Sequence, residues 1–263
     1  MKKYELTENY IIFNGKKLFQ VKALISFGNV KPGDLGGYIE KESNLSHHNN
    51  AWVSGDAMIF DDAKICGDAM ICDNAVIFGN AVICDNTRIC DNTRIFGNAR
   101  IFGNAVICDN TRICGDAMIF GDAKIFGNAR IFGNARICDN TRICGDAMIF
   151  GDAKICGDAR ICGDARICGD AVIKGNAAIQ TNKDYTYICG FGSEYRTTTC
   201  FRLNNKDIGV CCGCFYGTLN EFRKKVKETH NDNKYAKEYL MIADLMEYHF
   251  SNNEEINTYE NSN

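Results

Sequence analysis

From Ala51 to Asn182 the chain divides, without insertion or deletion, into 22 consecutive hexads of the form Ala/Thr, variable, Ile, Cys/Phe, Gly/Asp, Asp/Asn. The third position is Val53 and then Ile at every sixth residue from Ile59 to Ile179. The first is Ala except at Thr87, Thr93, Thr111 and Thr141. A period this strict is architectural. In a short strand the first and third side chains share one side and the second takes the other. Ala/Thr and Ile therefore face inward, and Met, Val, Lys or Arg faces water. Gly, Asp and Asn then turn the chain, since they tolerate left-handed backbone. The apolar period does not fit a helix.

The spacing of Ile65-Cys66-Gly67-Asp68-Ala69-Met70, an aliphatic residue followed four positions later by a small one, resembles the hexapeptide-repeat left-handed β-helix. That resemblance implies three hexads per triangular coil. The fold class is then all-β: a single-stranded left-handed parallel β-helix with an N-terminal β cap and a C-terminal β-plus-helix cap. At roughly 4.8 Å per coil the hexads make a prism about 34 Å long, with residues 18 apart stacked in columns. One face carries Phe60, Phe78, Phe96, Cys114, Phe132, Phe150 and Cys168 at the fourth position, and Arg94, Arg112, Arg130 and Arg166 at the second. Phe60, Phe78, Phe96, Phe132 and Phe150 are the candidate apolar interface; the four arginines are the candidate anion-binding ridge. Two readings of the fourth-position columns stand: exposed ridges that a second copy or a partner covers, or side chains folded over the corners onto neighbouring coils. The arginines are expected to interleave with corner Asp residues, with a polyanion groove as the alternative.

Cysteine fills the fourth position in 11 hexads where Phe fills eight, so it stands in for a hydrophobe and is expected as a free, inert thiol in a reducing cytosol. Stacked thiols such as Cys72, Cys90 and Cys108 promise poor disulfide geometry, and a line of thiols does not by itself make a tetrahedron. No metal or cofactor site is assigned. The hexads hold 13 Lys/Arg against 16 Asp and the whole chain has a net charge of −3, so bulk charge recruits neither nucleic acid nor anionic lipid. No apolar run reaches membrane-spanning length and MKKYELTENY lacks the apolar core of a signal peptide. A cytoplasmic, non-membrane protein is expected.

Outside the hexads, residues 1–50 read as a cap and lead-in coil. Tyr10–Phe13 and Leu18–Val21 flank the turn Asn14-Gly15, a hairpin signal. His47 and His48 read as ordinary surface histidines. Residues 183–250 form a second small unit, with strands near 185–189, 197–202 and 208–211. The capping box Thr218-Leu219-Asn220-Glu221 opens one helix, and a second runs over 234–249 with Tyr239, Leu240, Ile242, Ala243, Leu245 and Met246 on its apolar side. Cys200, Cys211, Cys212 and Cys214 lack the paired spacing of a zinc knuckle. Residues 251–263 read as a polar, flexible tail.

The whole chain resembles a family of hexapeptide-repeat proteins of phages and prophages. The resemblance rests on the segment from Ala23 to Tyr38, on the hexads, and on Gly213 to Phe222 with Thr229-His230 and Glu238-Tyr239. It implies a phage accessory role with a host or viral protein as partner, and proteins of this kind are often labelled transferase-like or polymer-forming. Many β-helix relatives transfer acyl groups with a catalytic His and a loop thrown out from a coil. Residues 51–182 contain no His, Glu or Tyr and no loop, so no catalytic residue is assigned. The expected function is a noncatalytic rigid binding or assembly protein, with homo-oligomers. The alternatives are an acyltransferase-like enzyme using His230 or His249, and polyanion binding or nucleic-acid mimicry.

Overall fold

A computed structural model describes residues 2–251. Its centre is the left-handed parallel β-solenoid that the hexads imply. After β1 (Tyr4–Phe13), β2 (Lys16–Ala23) and β3 (Leu35–Ile39), the hexads supply 22 two-residue strands, β4 (Trp52–Val53) through β25 (Ala178–Ile179). Every third one pairs in parallel, so Arg94 lies beside Arg112 and Ile95 beside Ile113, 18 residues apart. Three sheets result. We call the one containing β5 (Met58–Ile59) and β11 (Arg94–Ile95) the first face, the one containing β10 (Arg88–Ile89) the second, and the one containing β12 (Arg100–Ile101) the third.

The inward positions form one continuous core in which the hexad Ile residues from Ile71 onward and the first-position Ala residues are almost wholly buried. Each Ile contributes about 2 kcal/mol from burial before chain entropy offsets most of it. The corners carry their own order. Six use Asp in place of Gly at the fifth position, and all six Asp residues have left-handed φ, between 57° and 62°. Each carboxylate accepts the corner N–H one coil on, as Asp85 does from Gly103 at 3.0 Å and Asp139 from Gly157 at 2.9 Å. All four first-position Thr residues follow such an Asp-Asn corner; the hydroxyls of Thr87, Thr111 and Thr141 donate to the carbonyl three residues back. At the sixth position asparagines form ladders that end on an aspartate, such as Asn80 to Asn98 to Asp116. Amide donors pass a hydrogen bond down the edge until an acceptor-only side chain terminates it.

The N-terminal hairpin forms as its Asn14-Gly15 turn dictates, both residues having positive φ. The lead-in coil is irregular, as expected: Ile39 pairs with Ile59 and Leu45 with Ile65, 20 residues apart, before Val53 settles to 18 from Ile71. Tyr4, Val21 and Ala23 join the solenoid core and close its end. Lys3 is buried there, its ammonium donating to the carbonyls of Asn49 and Ala51 and lying over the Phe27 ring. His47 is half-buried and part of this closure, more than the ordinary surface histidine expected: its ring stacks on Tyr4 with centroids 4.2 Å apart and accepts the Lys3 backbone N–H. Burial holds its pKa below the usual histidine value.

At the other end a four-stranded antiparallel sheet, β26 (Tyr185–Ile188), β27 (Thr198–Arg202), β28 (Ile208–Cys212) and β29 (Phe215–Thr218), covers the last coil. The fourth of these strands goes beyond the three read from sequence. Alternation divides the sheet between two cores: Phe201 and Cys211 face the solenoid, while Cys200 and Val210 face α1 (Leu219–His230) and α2 (Lys234–Ser251). Thr218 caps α1 through the reciprocal box with Glu221. Ser251, read as the start of the tail, ends α2; the rest of that tail lies outside the described residues.

Candidate interaction faces

All nine candidate site residues lie on the first face, because the fourth and second positions of the same strands share it. Phe60, Phe78 and Phe96 stack on successive coils with centroids 4.9 and 5.0 Å apart and rings nearly parallel. The stack is not a free ridge from end to end. Leu18, Ile11 and Phe13 of the hairpin fold across its top and bury Phe60 and Val76, so Phe60 belongs to an internal contact and is removed from the candidate interface. Lys16 fixes this lap joint by pairing with Glu40 and Asp61. Phe78 and Phe96 are half-buried and, with Phe13, Arg94 and Arg112, line a recess of about 250 Å³ beside the hairpin tip. Farther down, past Cys114, Phe132 is half-buried and Phe150 exposed. The column is therefore packed at Phe60, open at Phe150, and met again at Cys168 by the hydroxyls of Tyr185 and Tyr187.

Arg94, Arg112 and Arg130 are in register and exposed; Met148 separates them from Arg166. The expected interleaving with corner aspartates is not found. Among the described residues, no ion pair uses an arginine or lysine of the hexads. The fifth-position carboxylates turn instead to backbone amides, which are closer and fixed. The corner beside the three stacked arginines carries Asn92, Asn110 and Asn128, joined to one another by side-chain hydrogen bonds. Asp91 and Asp109 share that corner, but their carboxylates accept backbone N–H groups of the next coil; farther down, Arg130 and Arg166 line a recess of about 220 Å³ with Asp146 and Asp164.

The thiols do not all stand apart. On the third face Cys66 with Cys84, and Cys138 with Cys156, lie in bonding contact across adjacent coils, their Cα atoms 4.6 and 4.8 Å apart. The expectation of uniformly free thiols is corrected at these four positions, because the coil spacing itself brings the Cα atoms into the range a disulfide needs. Burial raises three of the other thiols, Cys72, Cys200 and Cys211, to about 12. Unfolded thiols ionise near 9.0. Stability from these groups is thus complete below pH 9 and lost as pH rises toward 12. Lys3, brought down by burial to about 8 against the opposing pull of Asp68, acts in the opposite direction between pH 8 and 10.5, one group against three. A falling Tm from pH 9 upward, followed by circular dichroism, is expected.

In the C-terminal unit, Ala236, Tyr239, Ile242, Ala243, Met246 and Phe250 of α2 face inward. Leu245, assigned by sequence to that apolar side, points out. With Met241 and Tyr248 it forms an exposed stripe, the three being 71%, 55% and 67% exposed in chain order Met241, Leu245, Tyr248. Sequence reasoning missed it, although Met241, Leu245 and Tyr248 follow helical spacing. His230 lines a mainly apolar cleft of about 280 Å³ with Phe215, Phe222, Val226 and Tyr239. Cys200, Cys211 and Cys212 are divided between opposite sides of the sheet by strand alternation, so these thiols do not converge.

Residues 93–109 match the YdcK beta solenoid repeat. This 17-residue stretch covers nearly three hexads, one coil, and so carries the solenoid fold and no function. No curated protein matches the chain. Among the described residues no helix is long and apolar enough to cross a membrane.

Proposed function

We propose that this chain is a noncatalytic rigid scaffold that self-associates or holds a host or viral protein. The observation that carries the reading is the stripe of Met241, Leu245 and Tyr248, three large apolar side chains left outside both cores. A helix serving only as a cap gains nothing from exposing them. The open lower part of the first face, with Phe132 and Phe150, offers a second surface on the same rigid body. The phage accessory setting rests on the resemblance of the terminal motifs, and the noncatalytic reading on hexads that supply no His, Glu or Tyr as a general base. Sedimentation velocity is expected to show concentration-dependent association that Met241→Glu with Leu245→Glu abolishes, without lowering Tm. A monomer at every concentration removes self-association; affinity capture from phage-infected cells with the same variant then tests the heterologous form. Acyl-CoA-dependent turnover lost on His230→Ala would overturn the noncatalytic reading.

A second reading is favoured by the three in-register arginines that make no ion pair among the described residues: a shape-driven polyanion ridge. Replacing Arg94, Arg112 and Arg130 by Gln is expected to weaken binding to a duplex or heparin-like polyanion and to flatten its salt dependence by up to about three counterions. An unchanged slope dismisses the ridge.

A further inference from the structure

The fourth and fifth hexad positions together single out one edge of the rod. Cys72-Asp73, Cys90-Asp91 and Cys108-Asp109 stack on three consecutive coils of the second face. The next fourth- and fifth-position pairs on this edge, Phe126-Gly127, Cys144-Gly145 and Cys162-Gly163, have no carboxylate. Cys84-Asp85 and Cys138-Asp139 are isolated on the third face, their sulfurs already in contact with a neighbouring cysteine. A bare line of thiols offers no tetrahedron; carboxylates beside it change the geometry. The Cys72 thiol lies 3.2 Å from Asp73 Oδ2 and the Cys90 thiol 3.4 Å from Asp91 Oδ2. In the sets Cys72, Asp73, Cys90 and Cys90, Asp91, Cys108 the donor atoms all fall within 4.8 Å of one another.

We propose that this edge binds a thiophilic divalent cation of the zinc and cadmium class, with Cys90 as the shared ligand. Two thiolates and one carboxylate supply three corners of a tetrahedron, and water completes it. Sulfur–metal bonds of about 2.3 Å require the sulfurs to be roughly 4 Å apart, and side-chain rotation supplies that from columns stacked at the coil spacing. The two sets share Cys90, which as a terminal ligand serves one ion at a time.

The carboxylates are held for the task. Asp73 Oδ2 accepts the Asp91 backbone N–H and Asp91 Oδ2 accepts that of Asp109. A hydrogen-bonded carboxylate has its ligand direction fixed before the ion arrives, the role that supporting hydrogen bonds play in known metal sites. The ligands themselves project from β-strand corners of a rigid rod, not from a loop. Soft sulfur in the set selects against magnesium and calcium. The incoming cation displaces thiol protons as it forms its bonds to sulfur.

The test is Co²⁺ titration of the full chain kept reduced with a non-thiol phosphine, reading thiolate-to-cobalt charge transfer in the near ultraviolet. Affinity for Zn²⁺ is measured against a chromophoric chelator. Because reduction also frees the Cys138-Asp139-Cys156 set, every protein carries Cys138→Ser and Cys156→Ser. Cys90→Ser is expected to remove the charge-transfer band of one ion per chain and to lower Zn²⁺ affinity at least tenfold. Ser54 already occupies this column at the fourth position, so the substitution is compatible with the corner, and an unchanged melting curve confirms it. Asp73→Asn with Asp91→Asn is expected to weaken binding; Cys162→Ser, on the same edge but without a carboxylate, leaves it intact. Equal stoichiometry and affinity in the Cys90→Ser and Cys162→Ser proteins would overturn the proposal, as would binding unaffected by loss of both carboxylates.

Discussion

Ile119→Asp is expected to abolish the folded rod. Ile119 is wholly buried at mid-stack and pairs in register with Ile101 above and Ile137 below. Removing its side chain forfeits about 2 kcal/mol of burial. The carboxylate adds a larger penalty: its neighbours in the core are aliphatic, and the polar corners lie outside it. A charge placed there without a partner costs well over about 5 kcal/mol, or forces the carboxyl to stay protonated with its hydrogen bonds unmade. A globular domain relaxes such a defect over many neighbours. A solenoid cannot, because each coil contacts only the coil above and below. Loss of the cooperative β transition by circular dichroism, or recovery only in the insoluble fraction, is the expected outcome. Ile119→Val, which keeps shape and alternation, is expected to cost about 1 kcal/mol and to retain the transition. A soluble Ile119→Asp protein with the parental Tm would contradict the core as described.

How much of this was legible depended on whether the information lay along the chain or across it. The hexad fixes which side chain points in, and three hexads per coil fix which residues stack, so the pairing of Arg94 with Arg112 needed nothing but counting. Phe60 was different. Its burial depends on Leu18, Ile11 and Phe13 arriving from a hairpin whose strands are apolar on both sides. Alternation says that such a strand has two apolar faces; it does not say what each will meet. Leu245 failed for a related reason. At about 100° per residue it lies roughly 60° from the buried Ile242 and roughly 40° from the exposed Met241, so a small rotation of the helix decides between core and solvent.

Other signals were present but unread. At the first position Thr appears only after Asp-Asn corners, and at three of the four, Thr87, Thr111 and Thr141, its hydroxyl donates to the carbonyl that closes the turn. The stacked Cys-Asp pairs at 72, 90 and 108 follow from the same 18-residue count that gave the phenylalanine column. Considering the fourth position alone concealed them. The missing Arg–Asp ladders have the converse lesson: charge counts foresaw ion pairs, but a corner amide held by the fold is a nearer partner than an arginine on a flexible stem.

The corners carry the second large effect. Gly115→Val is expected to destabilise the rod by about 3 kcal/mol or more, and Gly115→Asp by only about 1. Gly115 has φ +75°, which a β-branched side chain resists strongly. A Cβ built there also meets the carbonyl oxygen of Gly133 at 2.8 Å and its nitrogen at 3.0 Å, both backbone atoms of the next coil. Neither moves without breaking the coil spacing that the Phe96-to-Ile113 and Cys114-to-Ile131 hydrogen bonds maintain. Asp pays the same steric charge, yet six corners already accept it by closing φ to near 60° and directing the carboxylate to the next corner N–H. The Gly133 N–H offers that partner to an aspartate at 115. Thermal melts of the two variants beside the parent separate the explanations. Equal losses mean that the Cβ clash alone governs, whereas a much smaller loss for Asp shows that the amide bond offsets the strain and accounts for the alternation of Gly with Asp along the rod.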